Sequence, residues 1–255
     1  MKKKRERTDG QEKRTNGRQV WRWGLMLALF AALLANTSCV SFAALNGNCR
    51  YAEIDRADAL MWQDIYFDRE ETAKPESGEL RTLAQPIGEV RYKLDGQACA
   101  DHRWANGDAT NLEAGTPIYA LADYKPTFRV VADGRVYQAL VNPHARTIGD
   151  LYDIEGKVKE ISFKEGRIVL DPEEERTFTD LYLNGKYEGM DAFAKRRLAG
   201  PIGFRIRLKD GSDVSGTYFL TNGPVMHPGM AAPDRLRDLV EGKLRQAGYL
   251  PRESA

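Results

Sequence analysis

Histidine is scarce in this chain, with only His102, His144 and His227 among 255 residues, and cysteine is equally rare at Cys39, Cys49 and Cys99. So small a stock of imidazole and thiol narrows the metal and acid-base chemistry the protein can perform. A structural zinc site needs four ligands; Cys99 and His102 have the spacing of one half-site, and the chain has no second half-site after them. The strand-turn-helix elbow of serine hydrolases, the phosphate-binding loop, the dinucleotide fingerprint and the zinc-protease helix motif are all missing. No cofactor is expected, and no residue is assigned as catalytic. The chain also lacks an excess of one charge: Lys and Arg number 38 against 37 Asp and Glu, a formal net charge of +1. Basic residues outnumber acids from Lys2 to Arg22, so the remainder of the chain is mildly acidic. That weighs against nucleic acid as a partner.

What is present is a run without charge from Trp23 to Cys49, directly after the basic arm. Lys and Arg beside a hydrophobic segment stay cytoplasmic, so the chain is expected to cross a membrane outward after residues 1–22 and to expose the rest on the far side. The block from Gly24 to Ala35 has the length of the hydrophobic region of an export signal. Three fates stay open for residues 23–45. Continued into Leu45 the run reaches the roughly 20 residues of a transmembrane anchor. Cut at the small residues around Phe42-Ala43-Ala44, it is a signal segment and the body is secreted. Cleaved before Cys39, it yields a lipoprotein-like form with a lipid on that thiol, although the leucine expected three residues earlier is Asn36.

Outside the cytoplasm a cysteine pair tends to oxidise. With Cys39 removed or lipidated, Cys49 and Cys99 remain as a candidate disulfide, and closing that loop is worth about 4 kcal/mol in the chain-entropy description. Two free thiols are the alternative.

The body divides into a strand-rich half, residues 50–149, and an α+β half, residues 150–250. Ala57, Leu60, Met61, Asp64 and Ile65 fall near helical spacing. Charged residues and Pro75 mark a linker, Gly88 to Leu94 alternates as one strand ending at Asp95-Gly96, and Cys99 to Gly115 is a long connection. Phe128 to Leu140 reads as a hairpin about Asp133-Gly134, a pair suited to a type I′ turn. Further hairpins are expected about Glu165-Gly166 and Asp210-Gly211. In the last of these, Phe204, Ile206 and Leu208 share one face, with Arg205 and Arg207 on the other. The acids Glu173 to Glu175 read as a solvated loop, Asn184-Gly185 as a hairpin turn, Met190 to Leu198 as a helix, and Asn222 to Pro233 as loop. Leu236, Leu239, Val240 and Leu244 form the apolar stripe of a terminal amphipathic helix. The fold class is therefore α+β, mostly antiparallel strands and hairpins with a C-terminal helix.

Over Asp150-Leu151-Tyr152-Asp153-Ile154-Glu155-Gly156-Lys157-Val158, and again over Ile202 to Ser215 and the proline-led helix after it, the chain resembles exported proteins of unassigned function in endospore-forming Gram-positive bacteria. The resemblance runs from Pro86 onward. It implies a bacterial surface protein, and it transfers no active-site residue.

The remaining candidates are of three kinds. His144 and His227 are potential general bases without a recognisable nucleophile. Asp150 and Asp153 are a carboxylate pair of the sort that flanks a sugar bond. Tyr119, Tyr124, Phe128 and Tyr137 would offer an aromatic face to a peptide or glycan, against the more common role of such residues in a core. Taken together, the sequence points to an extracytoplasmic binding or scaffolding protein of a bacterial envelope, held to the membrane by its N-terminal segment and meeting an envelope protein or the cell wall. An envelope hydrolase built on a histidine and carboxylates is the alternative.

Overall fold

The computed structural model describes residues 57–71, 85–99, 101–221 and 223–251, which belong to a unit spanning Tyr51–Ala255. The basic arm, the apolar run, Cys39, Cys49 and most of the charged linker lie outside the described residues. No helix among the described residues is long and apolar enough to cross a membrane.

The fold begins with a correction. Where helical spacing was expected, β1 (Ala59–Trp62) and β2 (Ile65–Arg69) form an antiparallel hairpin that pairs Leu60 with Phe67 and Trp62 with Ile65. Its turn residues Gln63 and Asp64 both take positive φ, +51° and +61°. That is the geometry of a type I′ turn without the glycine that usually announces it. Leu60, Ile65 and Phe67 are buried, an outcome a hairpin achieves by alternation and a helix would achieve with different partners.

The expected single strand over Gly88 to Leu94 is in fact two short ones, β3 (Gly88–Glu89) and β4 (Tyr92–Lys93). The connection from Cys99 contributes β5 (Asp108–Ala109), and after it come β6 (Pro117–Ala120), β7 (Arg129–Ala132) and β8 (Arg135–Val141). Asp133 and Gly134, at φ +50° and +68°, make the expected turn between the last two. The eight strands are ordered β3-β6-β7-β8-β2-β1-β5-β4. The two ends of that order are separated by Val90 and Arg91 alone. A residue spans at most about 3.6 Å of chain, so the outermost strands must lie close together and the sheet curls into a closed ring. The junction is hydrogen-bonded on both sides: the Val90 N–H donates to Thr116 O at 2.9 Å, and the Arg91 N–H to Gly107 O at 2.7 Å. Gly88 lets the Trp62 indole pack against this strand, because a Cβ there would lie 2.2 Å from the ring.

The second half opens with one turn of helix, α1 (Ile148–Leu151), closed by a capping box between Thr147 and Asp150. Then come β9 (Val158–Phe163) and β10 (Ile168–Val169), joined through the expected Glu165-Gly166 turn. The acidic run is not a loop. It is the first turn of α2 (Pro172–Leu183), where Asp171 caps the N–H groups of Glu173 and Glu174 and Glu174 bonds back to Asp171. Carboxylates are favoured there because they face the positive end of the helix and its unpaired N–H groups. Leu181-Tyr182-Leu183 accordingly ends a helix rather than a strand, and Asn184 is its C-cap.

A short helix α3 (Gly189–Ala194) leads to β11 (Pro201–Leu208) and β12 (Asp213–Phe219), paired from Pro201–Phe219 to Arg207–Asp213. Residues 222–233, expected as loop, carry β13 (Val225–Met226) and β14 (Met230–Ala231), which extend the sheet in the order β10-β9-β11-β12-β13-β14. The terminal helix α4 (Asp234–Gln246) buries Leu236, Val240 and Leu244 as its stripe requires. The α+β architecture with mostly antiparallel strands is thus present, and one apolar cluster includes residues of both sheets. Phe128 of the first half meets Tyr152 of the second edge to face at 5.6 Å.

In the second sheet Phe204 lies opposite Gly216, and a Cβ on Gly216 would come within 2.4 Å of the ring. Gly216→Val is therefore expected to cost about 1–3 kcal/mol by overpacking. Thermal melts of the two proteins check this, and an unchanged midpoint would show that the ring can move aside.

Candidate functional site

Among the described residues lies an open cleft of about 510 Å³. Four segments far apart in sequence build it. One wall is the side of α2 that carries Glu175, Arg176, Thr179, Asp180 and Leu183. Opposite stand the turn that includes Asp153, Glu155 and Gly156, the start of α1 at Thr147 and Gly149, then Lys125 and Lys209. The position of α2 is set by its other side, where Phe178 is buried among the rings of Phe163, Phe204 and Tyr182. Lys243 of α4 also holds Glu174 at 2.6 Å.

Charges of both signs line the cleft, and most are engaged within the fold. The Asp153 carboxylate accepts from Lys157 Nζ at 2.7 Å and from the Lys125 N–H at 3.0 Å, with Lys125 Nζ 3.8 Å away. Burial alone would raise this carboxyl, but those hydrogen bonds and the two lysine charges outweigh it and hold the group below its ordinary range. Lys209 donates to Gly156 O at 2.7 Å, Thr179 to Glu175 O, and Asn184 to the Asp180 carboxylate. Glu155, Glu175 and Arg176 differ: they form no side-chain hydrogen bond or ion pair with any described residue. Burial raises the Glu175 carboxyl, the charge of Glu160 adds to the effect, and Arg176 and Lys209 pull the other way.

Behind the cleft a polar cluster ties the two sheets together. Arg129, only 1% exposed, donates from Nη2 to Gln138 Oε1 at 2.6 Å and from Nη1 to Ser212 Oγ at 2.6 Å. Its guanidinium sits 4.8 Å from the ring centres of both Tyr124 and Phe128. Tyr124 donates to Asp210 at 2.6 Å, and the ammonium of Lys157 lies 4.9 Å from the same ring. Tyr124 thus connects the buried arginine to the lysine that holds Asp153.

The sequence candidates scatter around this centre. Asp153 lines the cleft while Asp150 does not; the Asp150 carboxylate instead accepts the N–H groups of Arg146 and Thr147 at 2.9 Å, which hold it below its ordinary range. The two acids therefore do not flank a common space. His144 is exposed on the surface with Asp64 3.9 Å away. His227 is held in the β12–β13 ladder by its N–H to Thr217 O, its carbonyl receives the Tyr182 hydroxyl at 3.0 Å, and burial lowers its pKa. Neither histidine lines the cleft.

Cys99 is disulfide-bonded, so its thiolate is not a zinc ligand, and the expected pairing with Cys49 lies outside the described residues. His102 instead places Nε2 2.7 Å from Asp108 Oδ2, which also accepts the Ala105 N–H, and its ring stacks on Tyr92. That pair pins the loop between β4 and β5. Among the described residues no group of three or more His, Cys, Asp or Glu side chains is placed to hold a metal ion. The aromatic face does not form either: Phe128 and Tyr137 are core residues, while Tyr119 and Tyr124 pack beside Leu121, Val131 and Val136.

No protein-family model, curated protein or solved structure matches the chain.

Proposed function

We propose that the chain is a binding or scaffolding protein of a bacterial envelope, tethered to the membrane through its N-terminal segment, and that the charged cleft is where its ligand sits. One observation carries this reading. The cleft combines ligand-sized volume and unsatisfied charge with a set of polar groups already committed to the fold, so it is equipped to hold a molecule rather than to attack one. A hydrolase would need a base within hydrogen-bonding reach of a nucleophile or of a positioned water. The cleft contains no histidine; of its acids, Asp153 is paired with Lys157, and the Glu155 and Glu175 carboxylates hydrogen-bond to no hydroxyl or amine among the described residues. The basic arm before an uncharged run supports the outward orientation, as does the disulfide at Cys99.

The test is a cysteine at the exposed Glu155 position, labelled in intact cells with a membrane-impermeant photoactivatable maleimide. Labelling without lysis and a discrete adduct after illumination are expected. A second cysteine at Val169, which is 49% exposed and not among the cleft residues, should label equally and give no such adduct. Label that enters only lysed cells would overturn the orientation, and identical adducts from both positions would overturn the cleft.

A further inference from the structure

Resting on the reading of the cleft as a ligand site, we infer that its ligand is a short zwitterionic peptide, with its ammonium against Glu175 and its carboxylate against Arg176. Once the side chains hydrogen-bonded within the fold are set aside, the charged groups of the lining left without a hydrogen bond or ion pair among the described residues are Glu155, Glu175 and Arg176. Glu175 is half-buried, with acidic Glu160 acting on it against the opposing charges of Lys209 and the exposed Arg176. An ionised carboxylate in such a place gains from a cation supplied by a ligand, because water solvates it incompletely and Arg176 makes no contact ion pair with it. Arg176 in turn presents a fork of donors suited to a carboxylate.

Other ligand classes fit less well. A phosphorylated or otherwise strongly anionic molecule would face Glu155, Glu175 and Asp180 along with the lysines. A glycan would want an exposed aromatic platform, whereas the one ring in the lining, Tyr152, is 2% exposed. An apolar ligand would have to strip water from charged walls without repaying it. A peptide with free ends supplies both signs, and its amide groups suit the polar side chains of Thr147, Thr179 and Asn184.

Titration calorimetry on the full chain in detergent micelles tests this with three probes: trialanine, N-acetyl-trialanine and trialanine amide. Trialanine should bind, and blocking either end should weaken binding by about tenfold or more, the usual worth of a charged hydrogen bond. The variants assign the ends. In Glu175→Gln the acetyl penalty should vanish while the amide penalty persists, and in Arg176→Gln the reverse should hold. Equal binding of free and blocked peptides, or penalties that fail to exchange between the variants, would overturn the assignment. If trialanine gives no heat while the Glu155→Cys crosslink still yields its adduct, the peptide class is wrong and the cleft stands. Silence in both experiments would remove the cleft reading as well.

Discussion

Arg129→Ala should lower stability by about 3–5 kcal/mol, the cost of breaking a buried charged network from one side. For a domain of this size that is a fall in melting midpoint of about 10 °C, at roughly 2–4 °C per kcal/mol. Beyond its bonds to Gln138 and Ser212, the Arg129 guanidinium reaches Asp213 O at 3.4 Å and the Asp210 carboxylate at 3.5 Å. Burial lowers its pKa, and the charges of Asp210 and Asp213 oppose that shift. Truncation would leave these acceptors facing an empty space between two aromatic rings. Arg129→Met separates the contributions: it restores much of the lost volume but none of the donors, so it should recover only part of the loss. A circular-dichroism melt decides the matter. If alanine costs less than about 1 kcal/mol, water must reach the cluster and satisfy it, which would contradict the burial of Arg129.

Phe178→Ala is expected to have the second large effect, about 3–5 kcal/mol. The ring is fully buried, with the centres of Tyr182, Phe163 and Phe204 at 5.5, 5.8 and 5.9 Å. It joins α2 to β9 and β11, and the cleft wall is the other side of the same helix. Phe178→Ala should therefore weaken ligand binding along with stability, whereas Glu175→Gln should leave the melt within about 0.5 kcal/mol of the parent, because the carboxylate has no hydrogen bond or ion pair among the described residues for the amide to lose. Chemical denaturation of both variants checks the contrast. A small loss for Phe178→Ala would mean that α2 is held by its caps and the Lys243–Glu174 pair instead of by its rings.

How much of this was legible in sequence depended on how local the signal was. The β7–β8 and β11–β12 hairpins were readable because Asp133-Gly134 and Asp210-Gly211 declare their turns and the flanking residues alternate. The terminal helix was readable from Leu236, Val240 and Leu244. The β1–β2 hairpin was not, because Gln63-Asp64 carries no glycine and Leu60, Met61 and Ile65 satisfy a helical spacing equally well. Helix α2 could have been found: Asp171-Pro172-Glu173-Glu174 is an N-cap, a first-turn proline and a capping box in succession, but a run of acids reads more readily as solvated surface. The splitting of Gly88 to Leu94 was beyond local reading, because it depends on partners at Pro117–Ile118 and Asp108–Ala109. The cleft was hidden for the same reason, with lining residues running from Lys125 to Lys209. Asp153 stood out in the sequence as one of two carboxylates that could flank a sugar bond; its bonds to Lys157 and Lys125 give it a structural role, and neither Glu175 nor Arg176 carries a sequence signal that distinguishes it from other charged residues.

The two-residue span at Val90 and Arg91 also bears on how such molecules tolerate crowding. A flat sheet leaves a rim of idle amide and carbonyl groups on which a neighbour's backbone can zip, the first step toward fibrous aggregates. A sheet whose first and last strands are successive pieces of one chain has no such rim. Among the described strands the second sheet, by contrast, keeps open edges, at β10 and β14, each two residues long, and along the parts of β9 and β12 that extend past their short outer partners.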